Sequence, residues 1–250
     1  MAGRLADIWR HPIKAHGRER LSSVKLRAGE TLPWDRAWAV VRAGADADGR
    51  SWASCGHFTR AATTPTLQAI EARLDEARSE ITLTHPDASP LCFRPDTDAG
   101  QAAFLSWVNA LTADSGTVAS RLVRALRQGM TDTEFPSVSL INAASHRAVA
   151  QRLGRELSPA RWRGNLLLDG LAPWEEFEWP GHRLRIGEAI LRVAERIGRC
   201  QATSVDPGTG RRDTDMLRLL QGGWGHTDFG VYAVVEQAGR IAPGDRVERL

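Results

Sequence analysis

The first hundred residues alternate short apolar runs with turn-forming residues. The runs are LADIW (5–9), SSVKLRAG (22–29), AWAVVRAG (37–44), SWASC (51–55), EITLTHP (80–86) and LCFRP (91–95). Glycine, proline and aspartate separate them, a pattern typical of β-strands. One helix is predicted among them over 64–80, with Thr64 as its N-cap and Pro65 in its first turn. Leu67, Ile70, Leu74 and Ala77 would share its buried face.

The remaining residues mix further strands with a few helices. The spacing predicts a helix after Asp98, with Phe104, Leu105, Val108 and Leu111 facing inward, and a connection over 114–137. A strand then runs into a helix that Ser145 caps and Gly154 ends. The pattern further predicts strands in 163–170 and on both sides of Gly187–Glu188, and a short helix over 215–220. The last predicted unit is a strand–turn–strand over 229–250 that turns at Pro243–Asp245.

This order of elements indicates an α+β, mainly β fold of two β-rich, barrel-like domains with a few flanking helices. Strands seldom alternate regularly with helices, which disfavours an all-parallel sheet. We place the domains at 1–97 and 98–250. A chain of 250 residues, of which 42% are hydrophobic and 25% charged, is long enough to bury a substantial core.

Composition narrows the cellular setting and the partners. No apolar run approaches the roughly 18 residues of a membrane helix, and the N-terminus has no apolar signal region, so we expect a cytoplasmic protein with no membrane partner. The net charge of +3 is mild and its arginines are spread along the chain, which argues against a nucleic-acid partner. Lys14 and Lys25 are the two lysines.

The three cysteines, Cys55, Cys92 and Cys200, lie far apart and form no C-x-x-C pair. That spacing argues against a zinc site, an iron–sulfur cluster or a disulfide framework. Cys92, inside a strand pattern, is predicted to lie in the core. Cys200 follows Arg199 at the end of a predicted strand and precedes the turn-rich segment TSVDPGTG (203–210).

Cys200 can be interpreted in two ways from its neighbours alone. Arg196 and Arg199 would place it in a positive field that favours the thiolate, which is both a nucleophile and a ligand for soft metals. The hydroxyls and backbone N–H groups after it suit the binding of an anion. The alternative is a small buried side chain beside a surface turn.

Three further segments carry candidate anion ligands. Lys14 sits in a turn after Pro12–Ile13, where it is either a solvated lysine or a phosphate contact. Arg36, after Asp35, either closes a turn or presents a guanidinium fixed by that carboxylate. Arg163 and Asn165 at a strand entry either bind an anion or satisfy local backbone groups.

These segments, in this order, resemble the MOSC superfamily, named for the C-terminal domain of molybdenum cofactor sulfurases. The segments are IWRHPIKAHG (8–17), DRAWAVV (35–41), RWRGNLLLDGLAPWEEFEW (161–179), IGRCQATSVDPGTG (197–210) and the C-terminal FGVYAVVEQAGRIAPGDRV. The resemblance covers almost the whole chain and points to the branch with an N-terminal β-barrel domain, which includes the mitochondrial amidoxime-reducing component.

The resemblance implies a molybdenum–molybdopterin cofactor (Moco), with Cys200 as the metal ligand and catalytic residue. It also implies a set of pterin and phosphate ligands: Lys14, Arg36, Arg163, Asn165, Arg199 and Thr203, with Asn142 and Ser145 at the strand–helix junction. Pyridoxal phosphate binding is a further family-level expectation. The chain departs from the family pattern P-[IV]-K-S-C, since Ala15 and His16 replace the serine and cysteine.

Three functions are therefore open. The first is a molybdenum-dependent oxidoreductase that reduces small N-hydroxylated compounds, with electrons from a separate ferredoxin- or cytochrome-like protein. The second is a sulfur carrier or sulfurtransferase that holds a persulfide on Cys200. The third is a molybdopterin-binding module without catalysis.

Overall fold

The computed structural model describes residues 3–250, which form fifteen strands and three α-helices. The strands are β1 (Gly3–Arg10), β2 (Glu19–Leu21), β3 (Val24–Leu26), β4 (Trp38–Arg42), β5 (Glu71–Asp75), β6 (Glu80–His85), β7 (Ala88–Phe93), β8 (Ala119–Arg124), β9 (Val138–Asn142), β10 (Leu166–Asp169), β11 (Arg183–Ile186), β12 (Ala189–Gly198), β13 (Asp228–Gln237), β14 (Gly239–Ile241) and β15 (Arg246–Arg249). The helices are α1 (Asp98–Leu111), α2 (Ala143–Leu153) and α3 (Met216–Trp224). The predicted mainly β, α+β class is confirmed.

Seven strands close into a barrel in the order β10–β9–β13–β12–β11–β15–β1, with β1 pairing back to β10 and β2 added beside β1. The pair β9–β10 is parallel and the other pairs of this sheet are antiparallel. Alternate residues of each strand point inward, so β12 buries Leu191 and Val193 while Arg192 between them stays exposed. The buried side chains of Leu191 and Val193 pack with those of Leu5, Leu140 and Val231 and fill the barrel, so its interior is a packed core.

A second apolar cluster lies under the smaller sheets. It joins the meander β5–β6–β7, the pair β4–β8 and helix α1, with Trp38, Leu67, Ile81 and Phe104 fully buried. The predicted helix at 98–111 is confirmed, although Leu105 and Leu111 are only partly buried. Strand β8 lies within 114–137, where a connection is predicted.

The predicted helix over 64–80 is wrong. Residues Pro65–Ala69 form one short 3₁₀ turn, and β5, a turn and the start of β6 follow. Ala72 and Leu74 are buried while Glu71, Arg73 and Asp75 are exposed, so the burial has the two-residue period of a strand. Leu67, Ile70, Leu74 and Ala77 fit the helical period, whereas Ile70, Ala72 and Leu74 alternate with a period of two, and the pairing of β5 with β6 decides between them.

Three smaller predictions are also corrected. Residues 51–55 form no strand; a 3₁₀ turn begins at Cys55. Cys92 is exposed, because it lies on the outer face of β7 between inward-facing Leu91 and Phe93. Helix α2 is capped by Asn142, whose side chain accepts from the N–H of Ala144, and not by Ser145; its predicted end at Gly154 is confirmed.

Sequence position 97 does not separate the sheets, since β4 pairs with β8 and β1 pairs with β10. The domain boundary between 97 and 98 stays a prediction. None of the helices within residues 3–250 is both long and apolar enough to cross a bilayer.

Candidate functional site

The Lys14 side chain is held inside the protein rather than pointing into solvent. Only 5% of the residue is exposed, and its Nζ donates to the carbonyl oxygens of Met130 and Thr131 at 2.9 and 3.2 Å and to Asp132 Oδ1 at 2.5 Å. The backbone N–H of Lys14 donates to the Trp38 carbonyl at 2.8 Å, which fixes the turn on β4. The lysine is therefore a buried, fully bonded cation.

Arg36 lies beside this turn and is fixed by its neighbour. Its Nη1 donates to Asp35 Oδ2, and its Nη2 donates to the Arg163 carbonyl at 3.0 Å. Asp35 is buried and also accepts from the N–H of His11 at 2.7 Å. The Arg36 charge and the His11 bonds lower the pKa of Asp35, overcoming the opposing effect of its burial. The expected contact between Arg36 and Asp35 is present, and it fits both an ion pair that closes the turn and a guanidinium held for an anion.

Arg163 is the least compensated cation of the region. Its Nη2 donates to the Gly17 carbonyl at 3.2 Å, while its Nη1 is buried with no partner among the described residues. Burial, and repulsion by Arg36 and Arg18, lower the pKa of Arg163 to about 9. A buried guanidinium donor without a partner is costly and is a ready ligand for an anion.

Arg199 connects this group to Cys200. It donates from Nε to the Phe229 carbonyl at 2.8 Å and from Nη1 to the Trp162 carbonyl at 2.8 Å, so its bonding partners are neutral. Burial lowers the pKa of Arg199 to about 10 against the opposing charges of Tyr232 and Cys200. The Cys200 thiol itself is exposed, two residues beyond the end of β12. The buried-filler interpretation of Cys200 is wrong.

We call Lys14, Arg36, Arg163 and Arg199 the cation pocket. Two carboxylates, Asp35 and Asp132, lie within its electrostatic reach. Four cations lie within reach of two carboxylates, of which Asp132 is exposed, so part of the positive charge is uncompensated, a condition that favours binding of an anion. Arg36 and Arg163 also have positive φ angles of 52° and 49°, conformations that non-glycine residues adopt mainly where the surroundings impose them.

The Cys200 loop, residues 200–213, is anchored at several points. Thr203 donates from N and Oγ1 to the Cys200 carbonyl at 3.1 and 2.9 Å, closing a 3₁₀ turn over Gln201–Ser204. Buried Arg161 donates to the Thr203 carbonyl at 3.0 Å and pairs with Asp213 at 3.1 Å. These bonds hold the loop through its backbone carbonyls and leave the Cys200 thiol accessible.

The structure brings Cys200 within electrostatic reach of Arg199, and Arg199 within reach of Arg36 and Asp132. Four of the predicted ligands make other contacts, and one of them is Thr203, whose hydroxyl donates to the Cys200 carbonyl. Asn165 accepts from the N–H and hydroxyl of Ser139 through its Oδ1 and donates to the Trp9 carbonyl. Asn142 and Ser145 donate to the buried carboxylate of Glu176 at 2.6 and 2.8 Å. The side chains of Asn142, Ser145 and Asn165 therefore bind other protein groups.

Sequence reasoning missed two residues at the cation pocket. Asp132 pairs with Lys14, and the charges of Lys14 and Arg36 lower the pKa of Asp132 to about 2 against its desolvation. Tyr232 lies within reach of Asp132 and Arg199, and burial raises its pKa to about 12. Tyr232 is the one tyrosine of the chain and stands between the inward-facing Val231 and Ala233 of β13. This alternation is visible in the sequence and places the tyrosine on the outer face of the strand.

The departure at Ala15 and His16 has a structural role. Ala15 has a φ of 65°, and the ring of fully buried His16 donates from Nδ1 to the Lys14 carbonyl at 2.7 Å. Burial lowers the pKa of His16 to about 4, so the ring is neutral at pH 7 and its Nε2 can accept from Thr59 at 3.4 Å. His16 thus supports the turn that holds Lys14.

The site therefore consists of four cations, of which Lys14 is buried and the three arginines are partly buried, beside an exposed thiol just beyond the end of a barrel strand. Two family models match the chain: the MOSC N-terminal beta barrel domain over residues 2–127 and the MOSC domain over residues 132–248. The chain therefore belongs to the MOSC family, and the resemblance of the sequence motifs is confirmed.

Curated relatives match about half of the chain. The similarity to Molybdenum cofactor sulfurase 2 of Culex quinquefasciatus is 32% identity over 123 residues, which cover 44% of this chain and 16% of the relative. Mitochondrial amidoxime-reducing component 1 of Xenopus laevis is 29% identical over 125 residues, covering 45% of this chain and 36% of the relative. The chain thus matches only a minor part of the length of either relative.

Among solved structures, the YUAD protein from Bacillus subtilis aligns with 100% of this chain and 96% of its own, at 12% identity and a TM-score of 0.46. Within residues 3–250 no group of three or more His, Cys, Asp or Glu side chains is arranged to hold a metal ion.

Proposed function

We propose that this protein binds Mo-molybdopterin and uses it to reduce N-hydroxylated compounds. The observation that carries the proposal is the buried, unpartnered Nη1 of Arg163 in a pocket of four cations beside the exposed Cys200 thiol. The names of the relatives associate them with the molybdenum cofactor or with amidoxime reduction, which supports the same chemistry here.

The residues present fit such a cofactor. Arg163 and Arg199 would hold its phosphate, because neither guanidinium pairs with a carboxylate and the Nη1 of Arg163 has no acceptor among the described residues. Lys14 and Arg36 would supply fixed positive charge behind it, and Tyr232 would add a hydroxyl at the same pocket. Cys200, as a thiolate, is a soft ligand suited to a metal already bound by sulfur.

When bound, the cofactor supplies two-electron chemistry at its metal. The balanced reaction is R–NH–OH + 2 e⁻ + 2 H⁺ → R–NH₂ + H₂O, in which the N–O bond breaks and the oxygen leaves as water. The cation pocket would bind the anionic groups of the cofactor, and the exposed Cys200 thiol would hold its metal. Electrons would come from a separate ferredoxin- or cytochrome-like protein, since the three cysteines are dispersed.

The test compares wild-type protein with Cys200→Ala, both produced in a host that synthesises the cofactor. We expect near-stoichiometric molybdenum and extractable pterin in the wild type, reduction of an amidoxime with a chemical reductant, and loss of activity in Cys200→Ala. Cys55→Ala and Cys92→Ala are matched controls, since those two thiols are also exposed. Metal-free wild type, or full activity in Cys200→Ala, would refute the proposal.

The exposed Cys200 thiol also supports a second candidate, a sulfur carrier. Intact-mass measurement on the same samples separates the two functions. A one-sulfur adduct lost in Cys200→Ala, with no bound pterin, would indicate the carrier. Pterin and molybdenum without any reductase activity would indicate a binding module.

A further inference from the structure

Gln68 is a fully buried polar side chain that the proposed chemistry does not use. It lies in the 3₁₀ turn Pro65–Ala69 with 0% of its surface exposed. Its Nε2 donates to the carbonyl oxygens of Arg161 at 3.1 Å and Ala202 at 3.4 Å, while its Oε1 has no partner among the described residues. Burying an amide is unfavourable unless it is bonded, so its half-satisfied state calls for an explanation.

The two acceptors of Gln68 belong to the segments that define the site. Ala202 follows Cys200 by two residues, and its side chain packs against the apolar cluster that contains Leu67 and Ile70. Arg161 holds the next residue of the loop through the Thr203 carbonyl and precedes Arg163 of the cation pocket by two residues. One amide nitrogen therefore ties the Cys200 loop to the strand entry that carries Arg163.

Other contacts across the same junction hold neighbouring residues of the turn, and Gln68 is the side chain that bonds Ala202. Arg18 donates to the Pro207 carbonyl at 3.0 Å, and Arg212 bridges the carbonyls of Gln201 and Ala62, but Arg212 is exposed and its bonds face solvent. Cys200 itself is extended, with φ −118° and ψ 178°, and its side chain makes no cap bond to the turn that follows. The direction of the thiol therefore depends on where Gln201–Ser204 is anchored.

We propose that Gln68, from the N-terminal segment, is a positioning residue that fixes the Cys200 thiol relative to Arg163 and Arg199. The inference rests on the proposed role of Cys200 as the ligand of the cofactor. Through Gln68, the N-terminal segment contributes directly to a site whose thiol, Cys200, and two cations, Arg163 and Arg199, come from the C-terminal half of the chain.

The test uses Gln68→Met in the full chain. Methionine keeps the length of the side chain and removes the unpartnered Oε1, but it also leaves the carbonyls of Arg161 and Ala202 without this donor, so we expect a small fall in melting temperature. We expect the amides of Thr203 and Val205 to exchange with deuterium about tenfold faster, because their turn loses its anchor. Molybdenum content from a cofactor-producing host should fall several-fold.

A second readout follows the thiol directly in the cofactor-free protein. In a Cys55→Ser, Cys92→Ser background, iodoacetamide reports only on Cys200. We expect the alkylation rate of Gln68→Met to differ about threefold from that of the background protein, since the turn that follows Cys200 loses its bond to the Ala202 carbonyl and the thiol changes position. Gln101→Met is the matched control, because Gln101 bonds the Pro95 carbonyl at the start of α1, away from the loop.

Wild-type exchange over 200–205 together with wild-type alkylation in Gln68→Met would overturn the proposal. Faster exchange spread over the barrel strands would overturn it too, since the effect would then be general destabilisation. If the wild type bound no molybdopterin, the proposed function would fail, and exchange and alkylation would still decide the role of Gln68.

Discussion

The two ends of the candidate site are built differently. At the cation pocket, Lys14 and Arg36 are held by several bonds each to neighbouring turns and to Asp35 or Asp132. At the other end, the Cys200 thiol is exposed on a loop that the side chains of Gln68 and Arg161 anchor through the carbonyls of Ala202 and Thr203. The difference separates residues that build the pocket from residues that face its ligand, and substitutions should reveal which is which.

The largest expected effect is that of Lys14→Met, because Lys14 makes three bonds within the pocket and also supplies part of its positive charge. Its loss leaves Asp132 without its cation and two carbonyls without a donor. We expect about 2 kcal/mol of lost stability, the usual cost of breaking charged hydrogen bonds, and molybdenum content near background. Denaturant unfolding and metal analysis measure the two effects. Lys25→Met, at an exposed position on β3, is the control.

Arg163→Met should separate the two effects. The guanidinium has no carboxylate partner in the salt-bridge range and its pKa is lowered to about 9, so its charge does not stabilise the apoprotein. We expect pterin occupancy to fall about 10- to 100-fold, the value of one or two charged hydrogen bonds, with no fall in the melting temperature. A clear loss of stability would show that Arg163 builds the pocket rather than facing its ligand.

The strands and the motif residues of the site can be predicted from the sequence, whereas the contacts between distant residues cannot. The barrel strands follow from their two-residue alternation, and Lys14, Arg36, Arg199 and Cys200 were identified through motifs. Residues 64–80 carry the helical spacing of Leu67, Ile70 and Leu74 together with the strand alternation of Ile70, Ala72 and Leu74, and only pairing with β6 decides between them. No local sequence pattern marks Gln68 or Asp132, since their roles depend on distant partners. Gln68 bonds Arg161, 93 positions along the chain, and Asp132 pairs with Lys14, 118 positions before it.

Acidic pH should weaken the pocket through its buried histidines. Burial lowers the pKa of His11 to about 3 and of His16 to about 4, below the ordinary 6.5, so the unfolded chain takes up protons that the folded protein refuses. The stability is complete above pH 6.5 and is lost as the pH falls from 6.5 towards 4. Each histidine should cost about 1.4 kcal/mol per pH unit within that range.

His16→Asn checks this dependence, because an asparagine amide can still donate towards the Lys14 carbonyl but does not titrate. Urea unfolding at pH 7 and pH 5.5 should show a smaller difference in free energy for the variant than for the wild type, by about 1 kcal/mol. Equal differences in the two proteins would mean that His16 is not the titrating group.

Ser145→Ala should have the smallest effect on the site. The Ser145 hydroxyl donates to both oxygens of Glu176 and accepts from the N–H of Trp174 at 2.8 Å, so it serves a buried carboxylate at the start of α2 and faces no cation of the pocket. Burial already raises the pKa of Glu176, and losing a donor would raise it further. We expect about 1 kcal/mol of lost stability at neutral pH, where the carboxylate must ionise, with molybdenum content unchanged. A several-fold drop in molybdenum would instead make the strand–helix junction part of the cofactor site, and the division between pocket-building and ligand-facing residues would have to extend to Asn142 and Glu176.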